Sequence, residues 1–109
     1  MKILDMMDKL SRRVGLSTAC FYPEDTFSAF RRVADAGAPV AEVFMNAVDE
    51  LTSSSLKRFR DYAKQSGTEI LSLHPYTSAF ESLLFFSEYG KRLNDGLELY
   101  KRFFDGAAQ

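Results

Sequence analysis

The sequence predicts an α/β fold built on a parallel sheet, and three observations carry that reading. Short apolar segments at residues 14–18, 40–45 and 69–74 alternate with longer stretches in which apolar residues recur every three or four positions. Gly37 and Gly67 stand where the first two long stretches end. The three strand–helix units have similar lengths. Strands separated by whole helices cannot form hairpins; they need crossover connections, and crossovers make parallel neighbours.

Taken in order, residues 1–13 form an N-terminal extension in which Ile3, Leu4, Met6, Met7 and Leu10 make one face of a short helix. Asp5 and Asp8 among them exclude a secretory signal, and the balance of basic and acidic residues argues against a membrane-surface anchor. Residues 14–109 hold the three units. Val14-Gly15-Leu16-Ser17-Thr18 reads as the first strand, and Phe21-Tyr22-Pro23-Glu24-Asp25 as a loop with helix-start chemistry. Phe27, Phe30, Val33 and Ala34 give the first helix its buried face. Gly37 closes it, because glycine takes the left-handed conformation at no steric cost.

Residues 40–45 are the second strand, and Ser53, Ser54 and Ser55 are candidate N-caps for a helix buried through Leu56, Phe59 and Ala63. The basic run Lys57-Arg58-Phe59-Arg60 reads as the solvated face of that helix. Glu69-Ile70-Leu71-Ser72-Leu73-His74 is the third strand, stopped by Pro75. A short helix near residues 80–88 precedes a last helix through Leu93, Leu97, Tyr100, Phe104 and Ala107, with Glu98 and Arg102 placed to pair one turn apart.

Composition narrows the function classes. A net charge of −1 offers no clustered basic footprint for nucleic acid. Cys20 is the one cysteine, so no internal disulfide and no cysteine-based zinc site can form, and a reduced, cytoplasmic setting is the simplest expectation. No apolar run reaches the roughly 18 residues that span a bilayer.

Strand alternation carries the functional signal. It puts Leu71 and Leu73 on a helix-facing side and Ile70, Ser72 and His74 on the other. Ser17, Glu42, Ser72 and His74 then share one sheet surface at the carboxyl ends of parallel strands, where α/β proteins bind ligands.

Those residues, with their flanks, resemble a known family. Val14-Gly15-Leu16-Ser17-Thr18 followed by Cys20-Phe21-Tyr22-Pro23 is similar to the opening of the xylose isomerase-like TIM-barrel proteins, the sugar phosphate isomerases and epimerases. So are the stretch Ala36-Gly37-Ala38-Pro39-Val40-Ala41-Glu42-Val43-Phe44 and the segment Ser72-Leu73-His74-Pro75-Tyr76-Thr77-Ser78, with Phe85-Phe86-Ser87 and Tyr100-Lys101-Arg102-Phe103-Phe104 after it. The resemblance covers residue 14 to the end. It implies a (β/α)8 barrel of roughly 250 residues, of which this chain is the parallel (βα)3 portion, truncated before the fourth strand.

The resemblance also implies metal-dependent aldose–ketose isomerisation or epimerisation in the complete barrel, with a sugar or sugar phosphate as the small-molecule partner. A divalent metal (Mn, Mg, Co or Zn) would be held mainly by residues of later strands, so this chain alone is expected to bind none tightly and to be inactive. The main catalytic positions fall outside the chain. Tyr22, Glu42 and His74 are the candidate substrate-binding residues. His74 is a candidate metal ligand, because it matches a zinc-binding histidine of the related endonuclease IV group.

Each candidate has a plainer alternative. His74 also reads as a hydrogen-bonded strand-end histidine, and Glu42 as a carboxylate satisfied by neighbouring strands. Phe21 and Tyr22 read as packing under the first loop, Cys20 as an inert loop or core residue, and Phe85 and Phe86 as core. Three functions follow in order: the isomerase or epimerase; a non-catalytic (βα)3 fragment or assembly module that self-associates through its open sheet edges; and an endonuclease IV-like phosphodiesterase, which the near-neutral charge disfavours. No nucleic-acid or membrane partner is expected.

Overall fold

The computed structural model describes residues 2–11 and 14–109. Met1, Arg12 and Arg13 of the N-terminal extension, and the side chain of Leu10, lie outside the described residues. Within the extension, α1 (Ile3–Ser11) is helical, and Ile3, Leu4, Met6 and Met7 are exposed.

Three parallel strands form the sheet: β1 (Leu16–Ser17), β2 (Val40–Phe44) and β3 (Glu69–His74), in the order β1-β2-β3. The fold is therefore α/β, as the alternating pattern predicts. β1 is much shorter than residues 14–18. Gly15 explains how it still approaches β2: a Cβ there would lie 2.5 Å from the Val40 carbonyl oxygen. After β1 the chain turns into a 3-10 segment, Thr18–Phe21, which exposes Cys20.

Helices α2 (Thr26–Asp35), α3 (Ser53–Ser66) and α5 (Gly90–Ala107) pack on one face of the sheet. A strand order that keeps advancing in one direction sends successive crossovers to the same side. The core is a single cluster in which Phe30 and Val33 of α2, Leu56 and Phe59 of α3 and Phe103 of α5 meet Ala41 and Val43 of β2 and Met45 just beyond it. The α2–α3 seam is aromatic. Phe27 meets Phe59 edge-on at 5.3 Å, and the Tyr62 hydroxyl donates to Asp35 Oδ1 at 2.5 Å. Lys57, Arg58 and Arg60 are exposed as the amphipathic pattern requires, with Arg58 lying 4.2 Å over the Phe27 ring.

The helix ends follow local chemistry. Asp25 caps α2 by accepting from the Ser28 N–H at 3.0 Å. Thr52, rather than Ser53, Ser54 or Ser55, caps α3: its backbone is still extended, and its hydroxyl accepts from the Ser55 N–H at 3.3 Å. Gly67 ends α3 with φ 77°, a conformation that strains any residue with a Cβ.

Three details depart from simple periodicity. The short helix α4 is Glu81–Phe85, preceded by a 3-10 turn at Tyr76–Ala79, and Phe86 beyond it is exposed rather than core. α5 is rotated from the expected face. Gly96, Phe103 and Gly106 are its buried positions, because Gly96 lies against Leu84 and Phe85 and Gly106 against Leu51 and Leu56, while Leu93, Leu97 and Phe104 are exposed. Glu98 pairs with Lys101 at 2.8 Å, not with Arg102.

The third departure lies in the sheet. Ala41 pairs with Ile70 but Glu42 pairs with Ser72, so Leu71 is an extra residue in β3. Ile70 and Leu73 therefore both pack towards the helix layer, whereas Leu71 is 70% exposed. Strict alternation had assigned Ile70 and Leu71 to the opposite sides.

Phe30 has no solvent exposure and joins α2 to α3. Phe30→Ala should cost about 3–5 kcal/mol in urea unfolding, the usual range for emptying a buried phenylalanine site. A loss of a few tenths would contradict this core.

Candidate functional site

The face of the sheet turned away from the helices is polar, and Glu42 is its centre. Val40, Glu42 and Phe44 alternate with the buried Ala41 and Val43, which sends their side chains to this inner face. Glu42 Oε1 accepts from Ser17 Oγ at 3.0 Å, and its Oε2 accepts from Ser72 Oγ at 3.3 Å. One carboxylate thus bridges all three strands. Ser17 Oγ in turn accepts from the Ala19 N–H at 3.2 Å, so the loop after β1 is tied to the same group.

His74 lies at the end of β3, its ring stacked on Phe44 with centroids 4.6 Å apart and planes 19° from parallel. Its Nδ1 is 2.8 Å from the Pro75 carbonyl oxygen. A carbonyl only accepts, so Nδ1 carries the proton and Nε2 of the neutral ring keeps its lone pair. The structure thus brings Glu42, Ser17, Ser72 and His74 to one surface. Tyr22 stands apart: it is 71% exposed in the loop after β1 and makes no side-chain hydrogen bond among the described residues. Phe21 beside it is half-buried, with Arg32 stacked 4.1 Å over its ring.

Two parts of this region escape sequence reasoning. Phe44 is visible as an inward residue, but its pairing with His74 depends on the shifted β2–β3 register. The second part is a polar latch above β2. Asn46 Nδ2 donates to Thr26 Oγ1 at 2.8 Å, Thr26 Oγ1 donates to Glu50 Oε1 at 3.0 Å, and the Asn46 N–H donates to Glu50 Oε2 at 3.3 Å. It joins the start of α2 to the 3-10 turn Val48–Leu51. Contacts this distant in sequence leave no periodic trace.

Among the described residues no group of three or more His, Cys, Asp and Glu side chains is placed to hold an ion. His74 Nε2 and the Glu42 carboxylate fall short of the three protein ligands of a usual catalytic zinc. The main groove, about 510 Å3, is on the other side of the sheet, where Met45, Leu56, Phe59, Ile70 and Leu73 line it beside β3. No helix of the described residues is long and apolar enough to cross a membrane.

The class defined by these features is an α/β protein with a one-sided helix layer and a carboxylate–serine–imidazole face at the carboxyl ends of parallel strands. Comparison with family models, curated proteins and solved structures finds no match to this chain.

Burial pushes the Glu50 carboxyl above its ordinary value of 4.5; the hydrogen bonds from Thr26 and the Asn46 N–H oppose this, and Asp25 and Asp49 add to it. The folded chain therefore holds this proton more tightly than the unfolded chain does. The stabilising contribution is complete below pH 4.5 and is lost as pH rises through the higher folded value. Relative to Glu50→Gln, the wild type should lose stability as pH climbs through that window, measured by urea unfolding at a series of pH values. A pH-independent difference would contradict the assignment.

Proposed function

We propose that the inner face is the sugar-facing surface of a xylose isomerase-like (β/α)8 barrel, and that this chain forms its first three strand–helix units. The carrying observation is Glu42 bridged to Ser17 and Ser72 beside the His74–Phe44 stack, all on the face that the helices leave open. A one-sided helix layer and the strand order β1-β2-β3 support the reading, since a barrel advances strand by strand with every helix outside.

The chemistry suits a polyhydroxylated ligand. Glu42 and the two serines offer a carboxylate acceptor and rotatable hydroxyls for sugar hydroxyls, and the stacked rings offer a flat apolar platform for a sugar's C–H face. Tyr22, exposed in the loop after β1, is the third candidate contact for the ligand. In the complete barrel the reaction is isomerisation or epimerisation of a sugar or sugar phosphate, in which a proton leaves a carbon beside a carbonyl. With Nδ1–H bonded to the Pro75 carbonyl, His74 Nε2 is a candidate acceptor for a sugar hydroxyl.

A second reading has its own observation. β1 and β3 each have a neighbour on one side only, and an open edge is a template for pairing. This favours a non-catalytic assembly module.

His74 is the one histidine, so its imidazole Cε1–H gives one unambiguous NMR signal. Titration with aldoses, ketoses and their phosphates should shift that signal. Glu42→Gln should weaken the binding roughly ten- to hundred-fold, the loss of a hydrogen bond to a charged group. An unmoved imidazole signal with every sugar class at saturation would overturn the carbohydrate reading.

A further inference from the structure

We infer that β3 pairs antiparallel with β3 of a second copy of this chain, about a two-fold axis between Leu71 and Ser72. This rests on the second reading above, the assembly module, and not on the closed barrel: among the described residues the outer edge of β3 has no neighbouring strand.

The two sheet edges are not equivalent. β1 spans only Leu16–Ser17, too short to template much pairing, whereas β3 spans Glu69–His74. Between its ends β3 holds no lysine, no proline and no charge, so it lacks the usual guards of an edge strand.

Side-chain direction selects the register. Residues directly opposite in an antiparallel pair share a face. In β3, Glu69, Ser72 and His74 pair with the inward side of β2 through Val40, Glu42 and Phe44, while Ile70 and Leu73 pair with the helix-facing Ala41 and Val43. An axis between Leu71 and Ser72 sets Ile70 opposite the second copy's Leu73, both on the helix side. It sets Glu69 opposite the second copy's His74, both on the inner side. Moving the axis by half a residue either way opposes Ile70 to Ser72 or to His74, which crosses the faces. The matched register also places the Glu69 carboxylate against the second copy's His74 ring at each end, whereas a parallel copy in register would set Glu69 beside Glu69.

The helix layer extends the same surface. A two-fold axis perpendicular to the sheet keeps both helix layers on one side and brings α5 towards its copy. On α5, Gly106 meets Leu51 and Leu56 next to α3. At 100° per residue, Leu93, Leu97 and Phe104 fall on the flank of α5 opposite Gly106. All three are exposed, so the flank turned towards the second copy is apolar. The groove along β3, floored by Ile70 and Leu73, lies between the two and is continued by Ile70 and Leu73 of the second copy.

The test is the mass in solution by light scattering, with circular dichroism to verify folding. The wild type should have twice the 12.4 kDa of one chain. Leu71→Lys changes a side chain already exposed and should give a folded monomer. His74→Glu sets Glu against Glu69 and should also give a monomer, and the charge swap Glu69→Lys with His74→Glu should restore the dimer. A monomeric wild type, a dimer that survives Leu71→Lys, or a swap that fails to rescue would each overturn the proposal. Leu71→Lys keeps the imidazole, so its sugar titration is read independently of its mass, whereas the His74→Glu variants lose that ring and are read by mass alone.

Discussion

The arrangement depends on one carboxylate in the middle strand. Glu42 projects from β2 onto a face without helices, where a half-buried charge needs hydrogen-bond partners. It has one from each neighbouring strand: Ser17 on β1 and Ser72 on β3. The requirement for Ser72 dictates the register of β3. Without the extra residue, Leu71 would stand opposite Glu42, and Ser72 would turn into the helix layer beside Val43. The bulge at Leu71 thus satisfies the carboxylate and, in the same step, turns both Ile70 and Leu73 into the core. Polar face and apolar core are two consequences of one irregularity.

The core on the other side is held by side chains of high sequence separation. Phe30, Phe59 and Phe103 come from three different helices and converge on Ala41, Val43 and Met45. The segment after β3 is held by aromatic packing, Tyr76 on Phe103 and Phe85 on Tyr100, and by polar contacts. The Tyr100 hydroxyl donates to Glu81 Oε1 at 2.5 Å and lies 3.0 Å from Thr77 Oγ1, and burial together with the Glu81 bond pushes that phenol above its ordinary value. Gly96 lets α4 come close enough to α5 for these contacts to form. The result is a sheet with helices on one face and a polar, open face on the other.

Much of this was legible in the residues. The period-two runs located β2 and β3 to within a residue, Gly37 and Gly67 marked the ends of α2 and α3, and inward Glu42, Ser72 and His74 were identified as one surface. What was hidden has physical causes. A bulge adds a residue without leaving any mark in the pattern, so Ile70 and Leu71 were assigned to the wrong faces. The contact stripe of α5 was misread because glycines, which allow close approach, define it more than large apolar residues do. Phe104 and Leu97 look like core by periodicity, yet they are exposed on the described chain. The latch ties Thr26 to Asn46 and Glu50, twenty and twenty-four positions further on, with no local signature.

The most direct test of the Glu42-centred register is a set of cross-strand proton NOEs in the folded chain. The account predicts contacts from the Glu42 backbone to Ser17 on one side and Ser72 on the other, with Val43 facing Leu73 and Leu71 out of the ladder. Contacts from Glu42 to Leu71, with Ser72 opposite Val43, would contradict it, because the carboxylate would then lack its β3 partner and the polar face would not exist as described.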